Sequence, residues 1–139
     1  MIDKNVAAKL VKLAKEMLDF SYSPYSEYKV GAALITKSGK IYLGCNIENA
    51  SYSPTVCAER VAFFKAVSEG EKEFSAIAIA GGHNGNLEGI FPPCGVCRQV
   101  MTEFCDKEFE IILATKEGYE SFTLEQILPL SFGKSNLSL

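Results

Sequence analysis

The sequence predicts an α/β fold, a mixed sheet of about five strands flanked by helices. Three observations carry this expectation. The 139 residues are 47% hydrophobic and 22% charged, which is enough apolar content to bury one core and too much for intrinsic disorder. Stretches with helical periodicity alternate with short β-rich runs in the order helix, hairpin, helix, strand, helix, strand. Gly, Pro and Asn clusters separate these segments, and no repeat, low-complexity tract or linker interrupts them, so residues 1–139 are expected to form a single domain.

Residues 3–18 place Val6, Leu10, Leu13, Ala14 and Met17 at helical spacing, with Lys9, Lys12 and Glu16 on the other side. Ser23-Pro24 breaks that pattern. Residues 28–36 and 40–47 read as two strands joined through Lys37-Ser38-Gly39, a hairpin. A second helix is expected over 57–68, after Pro54. Residues 74–80 (Phe-Ser-Ala-Ile-Ala-Ile-Ala) form a third strand, and 81–93 a Gly/Asn/Pro loop. A helix over about 95–105 spaces Cys97, Val100, Met101, Phe104 and Cys105 at i, i+3, i+4, i+7 and i+8. Residues 109–114 make a fourth strand, Gly118 to Phe122 a short fifth, and a short helix near 124–128 ends at Pro129.

No apolar run approaches the ~20 residues that span a bilayer. The start, Met1-Ile2-Asp3-Lys4-Asn5, lacks the basic and then apolar pattern of a secretory leader, so a cytoplasmic location is expected. A net charge of −3 offers no basic footprint for nucleic acid. Five cysteines, an odd number, in a reducing compartment argue against a disulfide framework and for metal binding or catalysis.

Two cysteine clusters open expected helices. Pro93-Cys94-Gly95-Val96-Cys97 contains a C-x₂-C pair where a loop enters a helix. Free N–H groups and the helix dipole favour thiolates there, and the spacing lets one metal ion bridge both sulfurs. By itself the pair also fits a redox couple or two buried thiols. Cys57-Ala58-Glu59-Arg60 supplies a third thiol. Three protein ligands leave a position open for water, as a catalytic zinc site requires, whereas a structural site takes four. Cys45, in a strand, and Cys105, two turns beyond Cys97, read as core thiols. His83, the only histidine, reads as a solvated residue of a Gly/Asn loop that also offers a possible metal ligand. Glu59 follows a zinc-ligand candidate at a helix mouth, where a carboxylate can accept a proton from water that the metal activates. Arg60 is placed to hydrogen-bond the sulfurs and offset their negative charge.

These residues resemble the zinc-dependent cytidine deaminase family. Cys57-Ala58-Glu59 and Pro93-Cys94-Gly95-Val96-Cys97 match its two signature motifs. Pro24-Tyr25-Ser26, Val30-Gly31-Ala32-Ala33, Gly44-Cys45-Asn46-Ile47-Glu48-Asn49-Ala50, Cys97-Arg98-Gln99-Val100, Leu128-Pro129 and Phe132-Gly133 are similar to the family as well, so the likeness covers roughly residues 5–133. It is nearest to the small homotetrameric three-cysteine nucleoside deaminases, which implies a three-layer α/β/α sandwich and active sites near subunit interfaces. It further implies Zn²⁺, one per chain, on Cys57, Cys94 and Cys97, with Glu59 as proton shuttle and Arg60 behind the sulfurs. Asn46 and Glu48 would hold the ribose hydroxyls, which fits an amide and a carboxylate spaced i, i+2 near a strand end. Ala58 would contact the pyrimidine through its backbone. Tyr28, where the family often has Phe, and Phe132 would lie near the base, and Tyr52 at a subunit boundary. For these three aromatics plain core packing is the competing reading. The stretch from Gly82 to Pro92 is the least family-like and reads as a mobile loop that either gates the site or merely connects.

The implied reaction is hydrolytic deamination of cytidine and 2′-deoxycytidine in pyrimidine salvage. Three rivals are a deaminase of another small cytosine-containing molecule, a polynucleotide deaminase, and a structural zinc module with a fourth protein ligand. The acidic balance opposes the polynucleotide reading.

Overall fold

The computed structural model describes residues 1–137; Ser138 and Leu139, which fall within the expected domain range of 1–139, lie outside the described residues. The chain runs α1 (Lys4–Glu16), β1 (Tyr28–Thr36), β2 (Ile41–Cys45), α2 (Ala58–Ser68), β3 (Phe74–His83), α3 (Gly95–Phe104), β4 (Glu110–Ala114), β5 (Tyr119–Thr123) and α4 (Leu124–Ile127). The five strands form one sheet in the order β2-β1-β3-β4-β5. β3 and β4 pair in parallel, with α3 as their crossover, and every other pair is antiparallel. The sheet is therefore mixed, as expected.

Strand alternation builds the three layers. Ala76, Ala78 and Ala80 of β3 face one side and pack with Ala33, Ile112 and the α1 residues Ala7, Leu10, Val11 and Ala14. Ile77 and Ile79 face the other side, where Leu34, Ile111 and Leu113 meet Ala62, Phe63 and Ala66 of α2 and Met101 of α3. The small side chains let α1 lie close to the sheet. The larger ones fill the deeper layer beneath α2 and α3, where Phe63 packs edge-on against Phe74 at 5.0 Å between ring centres. No helix among the described residues is long and apolar enough to cross a membrane.

Several expected boundaries shift. The first helix stops at Glu16 and tightens into a 3-10 turn over Met17–Phe20. The strand expected to reach residue 47 ends at Cys45; Ile47 keeps only single bridges to Tyr22 and Val56. β3 continues to His83, so Gly81, Gly82 and His83 are strand and not loop. Cys105 is the C-terminal cap of α3, half-buried against the core, and not a residue of the helix interior. A 3-10 turn over Lys134–Leu137 was not foreseen.

One glycine sets where α2 begins. A Cβ on Gly44 would stand 2.8 Å from Ala62 N and closer still to the Ala58 carbonyl oxygen. The first turn of α2 therefore lies directly on the backbone of β2. Gly44→Ala is expected to cost about 1–3 kcal/mol through overpacking, read as a lower urea midpoint. An unchanged midpoint would show that α2 can shift without cost.

Candidate active site

Cys57 is the N-cap of α2 and Cys94 the N-cap of α3, so two helix N-termini converge where the sulfurs lie. The Sγ atoms of Cys57, Cys94 and Cys97 all fall within 4.8 Å of one another. Cys57 Sγ is 3.6 Å from Cys94 Sγ, and Cys97 N donates to Cys94 Sγ at 3.4 Å. The α3 end supplies a backbone N–H to Cys94, Cys57 accepts no backbone N–H from α2, and both ends place positive partial charge beside the sulfurs. Among the described residues no fourth Cys, His, Asp or Glu ligand atom joins the cluster. His83 stands apart from it and reaches Glu27 instead.

Arg60, one turn into α2, donates from a terminal guanidinium nitrogen to Cys57 Sγ at 3.4 Å. The neighbouring Cys97 thiol is the largest cause holding the Cys57 thiol down at about 5, and Arg60 and Cys94 reinforce it against burial. The same pairing, with burial, pushes Cys97 up. The opposite shifts share one cause, the contact between the two sulfurs, which favours the thiolate at Cys57 and disfavours it at Cys97.

Glu59 is 4% exposed, although it sits in the first turn of a helix. Its Oε1 is buried and has no hydrogen-bond partner among the described residues. Burial, the largest cause, pushes its carboxyl up to about 7, and the Cys57 charge adds to this. A buried carboxylate oxygen left unpaired costs free energy unless something else occupies the space beside it. Three clustered thiols and that oxygen fit a zinc site with one coordination position free of protein ligands.

The groups expected around the sugar lie just past β2. Glu48 accepts from Tyr25 N at 3.0 Å, from Ser26 N at 3.2 Å and from the Ser26 hydroxyl. Burial opposes its ionisation, yet these hydrogen bonds outweigh it and hold the carboxyl below its usual range. Asn46 is 8% exposed, and its side chain is largely committed to the fold. Its Oδ1 accepts from Val30 N at 2.9 Å and from the Ser21 hydroxyl, and its Nδ2 donates to Tyr28 O at 2.7 Å. One amide N–H is left for any ligand. Glu48 also borders a groove of about 350 Å³ lined by Tyr25, Ser26, Asn49, Tyr52 and Thr55. The sequence assigns Tyr25 and Ser26 to a family-like motif without a role, and Thr55 to none. The Pro24-Tyr25-Ser26 turn was visible, but its link to Glu48 is made only by folding.

Ala58 is fully buried at the start of α2. Tyr28 opens β1 and is 46% exposed, against Phe91 and His83. Tyr52 adopts a left-handed backbone (φ 62°), and its ring lies edge to face with Tyr25, centres 6.5 Å apart. Phe132 is 60% exposed, on a segment tied to α3 by a 2.9 Å bond from Gln99 Nε2 to the Phe132 carbonyl. These positions replace core packing with exposure for all three aromatics. Within one chain Phe132 makes no aromatic contact among the described residues.

The model of the cytidine and deoxycytidylate deaminase zinc-binding region matches residues 4–113. This chain belongs to that deaminase family. A cytidine deaminase from Sporosarcina psychrophila is 47% identical over 131 residues, covering 94% of this chain and 93% of that one. A probable cytidine deaminase from Dictyostelium discoideum is 41% identical over 130 residues, covering 93% and 85%. The crystal structure of cytidine deaminase from Burkholderia pseudomallei superposes with a TM-score of 0.82 at 42% identity, covering 89% of this chain and 97% of that one. The Mycobacterium tuberculosis cytidine deaminase gives 0.76 at 33% identity, covering 96% and 99%. The deaminase family's fold is thus the fold of this chain, and its zinc-binding region includes the cluster of Cys57, Cys94 and Cys97.

Proposed function

We propose that this protein is a zinc-dependent hydrolase that converts cytidine and 2′-deoxycytidine, plus water, to uridine and 2′-deoxyuridine with release of ammonia. The observation that carries the reading is the three-thiol cluster beside the buried, unpaired Oε1 of Glu59. Zinc held by Cys57, Cys94 and Cys97 would supply the Lewis acidity that makes water a nucleophile near neutral pH. Glu59 takes a proton from the attacking water and delivers it to ring N3. As the C4–N bond breaks and the new C4 oxygen becomes a carbonyl, Glu59 carries the second water proton from that oxygen to the amino group, which leaves as ammonia. Arg60 spreads the negative charge of the sulfurs. The remaining N–H of Asn46 and the carboxylate of Glu48 hold the sugar hydroxyls, fixing C4 at the reacting centre. Ala58 meets the pyrimidine through its backbone, and Tyr28 lies along the base.

The same reading takes residues 1–139 as one catalytic domain. It places the enzyme in cytoplasmic pyrimidine salvage, as a homotetramer in which Phe132 and Tyr52 stand at subunit boundaries. Their exposure, 60% and 73%, leaves both rings open to a neighbouring subunit, as that assembly requires. The test is an ultraviolet assay of the zinc-loaded chain against cytidine, 2′-deoxycytidine and single-stranded DNA. Turnover of both nucleosides and not of the polymer is expected. Turnover of the polymer alone, or of neither nucleoside, would overturn the reading.

A further inference from the structure

The one histidine of the chain is absent from the proposed mechanism, yet its ring is built into the site's edge. Tyr28 and His83 are direct partners in the antiparallel β1–β3 ladder. Their rings meet edge to face with centres 5.3 Å apart and an interplanar angle of 61°. Phe91 supports Tyr28 from another direction, at 6.1 Å and 31°. Phe91 comes there because β3 has no side chain at Gly81, and the Asn86 backbone takes the space at Gly82. A Cβ on Gly81 would stand 2.7 Å from Phe91 Cδ2, and one on Gly82 would collide with the Asn86 carbonyl. Asn84 N donates to Glu27 O at 2.7 Å, and Asn86 N to His83 O at 3.0 Å, which fold the segment back over the strand. His83 Nε2 lies 3.4 Å from Glu27 Oε2.

Tyr28 in turn links the two halves of the site. Its carbonyl accepts from Asn46 and its N–H donates to the Ser26 hydroxyl, which holds Glu48. Its ring leans on Phe91, three residues before Cys94. Two aromatic neighbours fix the ring and still leave 46% of the residue open. An exposed tyrosine without them would sample several rotamers.

The geometry points to His83 as a positioning residue: its ring, through an edge-to-face contact, holds Tyr28 where the nucleoside base is received. This rests on the reading of Tyr28 as the aromatic along the base. The contact acts by shape and ring electrostatics, not through the Glu27 carboxylate. Losing it frees Tyr28 before substrate arrives, so substrate binding bears the cost of ordering the ring. His83 is not part of the sulfur cluster and pairs with Glu27, so the chemical step keeps its machinery.

The experiment measures kcat and KM for cytidine, and the affinity of uridine by calorimetry, in His83→Ala, His83→Phe and His83→Gln. His83→Ala is expected to raise KM and weaken uridine by about two- to tenfold, the range of an aromatic pair, with kcat nearly unchanged. His83→Phe restores both and His83→Gln does not. In a Tyr28→Leu background, which itself weakens binding, His83→Ala adds nothing further. Unchanged KM and uridine affinity in His83→Ala would overturn the inference. So would rescue by His83→Gln equal to that by His83→Phe, since that would assign the effect to Glu27. A wild-type chain that neither converts cytidine nor binds uridine would overturn the functional reading itself, and the inference with it.

Discussion

Glu59→Gln is expected to lower kcat for cytidine by about 10²–10⁴, the usual worth of a positioned general acid–base group. The substitution keeps the side chain's length and shape in a site that is 4% exposed, so packing is preserved. It removes the ability to take and return a proton. The affected atom is the buried Oε1, which has no hydrogen-bond partner among the described residues and thus no structural bond to lose. Zinc content and the thermal midpoint should stay at wild-type values. That combination separates a lost proton shuttle from a damaged fold. A variant with kcat within about tenfold of wild type would remove Glu59 from the mechanism.

Cys94→Ala is expected to abolish stoichiometric zinc binding and, with it, turnover. Cys94 is the exposed member of the cluster, so its replacement leaves the core intact. It does remove the sulfur that accepts from Cys97 N and approaches Cys57 Sγ. In wild type, zinc at a hundredfold excess over its dissociation constant should add about 2.7 kcal/mol of stability by mass action. The variant should show little of that gain. Metal analysis and melting with and without zinc read both effects. Full zinc occupancy and an undiminished shift in Cys94→Ala would break the ligand assignment.

The legible parts of this chain are those whose signals are local. Helix α1 was readable from Val6, Leu10, Leu13 and Ala14, and the β1–β2 hairpin from Lys37-Ser38-Gly39, because spacing and turn chemistry act within a few residues. The sulfur cluster was readable for the same reason: both motifs sit at helix starts, and their residue types suit a metal. The extension of β3 was not. Gly81 and Gly82 look like loop glycines, and only the folded chain shows that Phe91 and Asn86 occupy the space their side chains would take. His83 was read as a solvated loop residue; it is exposed, but it lies on the strand and pairs with Tyr28. Asn46 was read for its amide alone. Its bonds to Val30, Ser21 and Tyr28 make it a structural brace as much as a ligand candidate. Those partners lie far away in sequence, where no periodicity points to them.

The central claim is that this chain replaces the C4 amino group of cytidine with an oxygen from water. The most direct measurement incubates the zinc-loaded protein with cytidine in ¹⁸O-enriched water and analyses the product by mass spectrometry, with ammonia assayed in parallel. The account predicts uridine carrying a single heavy oxygen at C4 and an equal amount of ammonia. Unchanged cytidine, or uridine formed without the heavy oxygen, would contradict it.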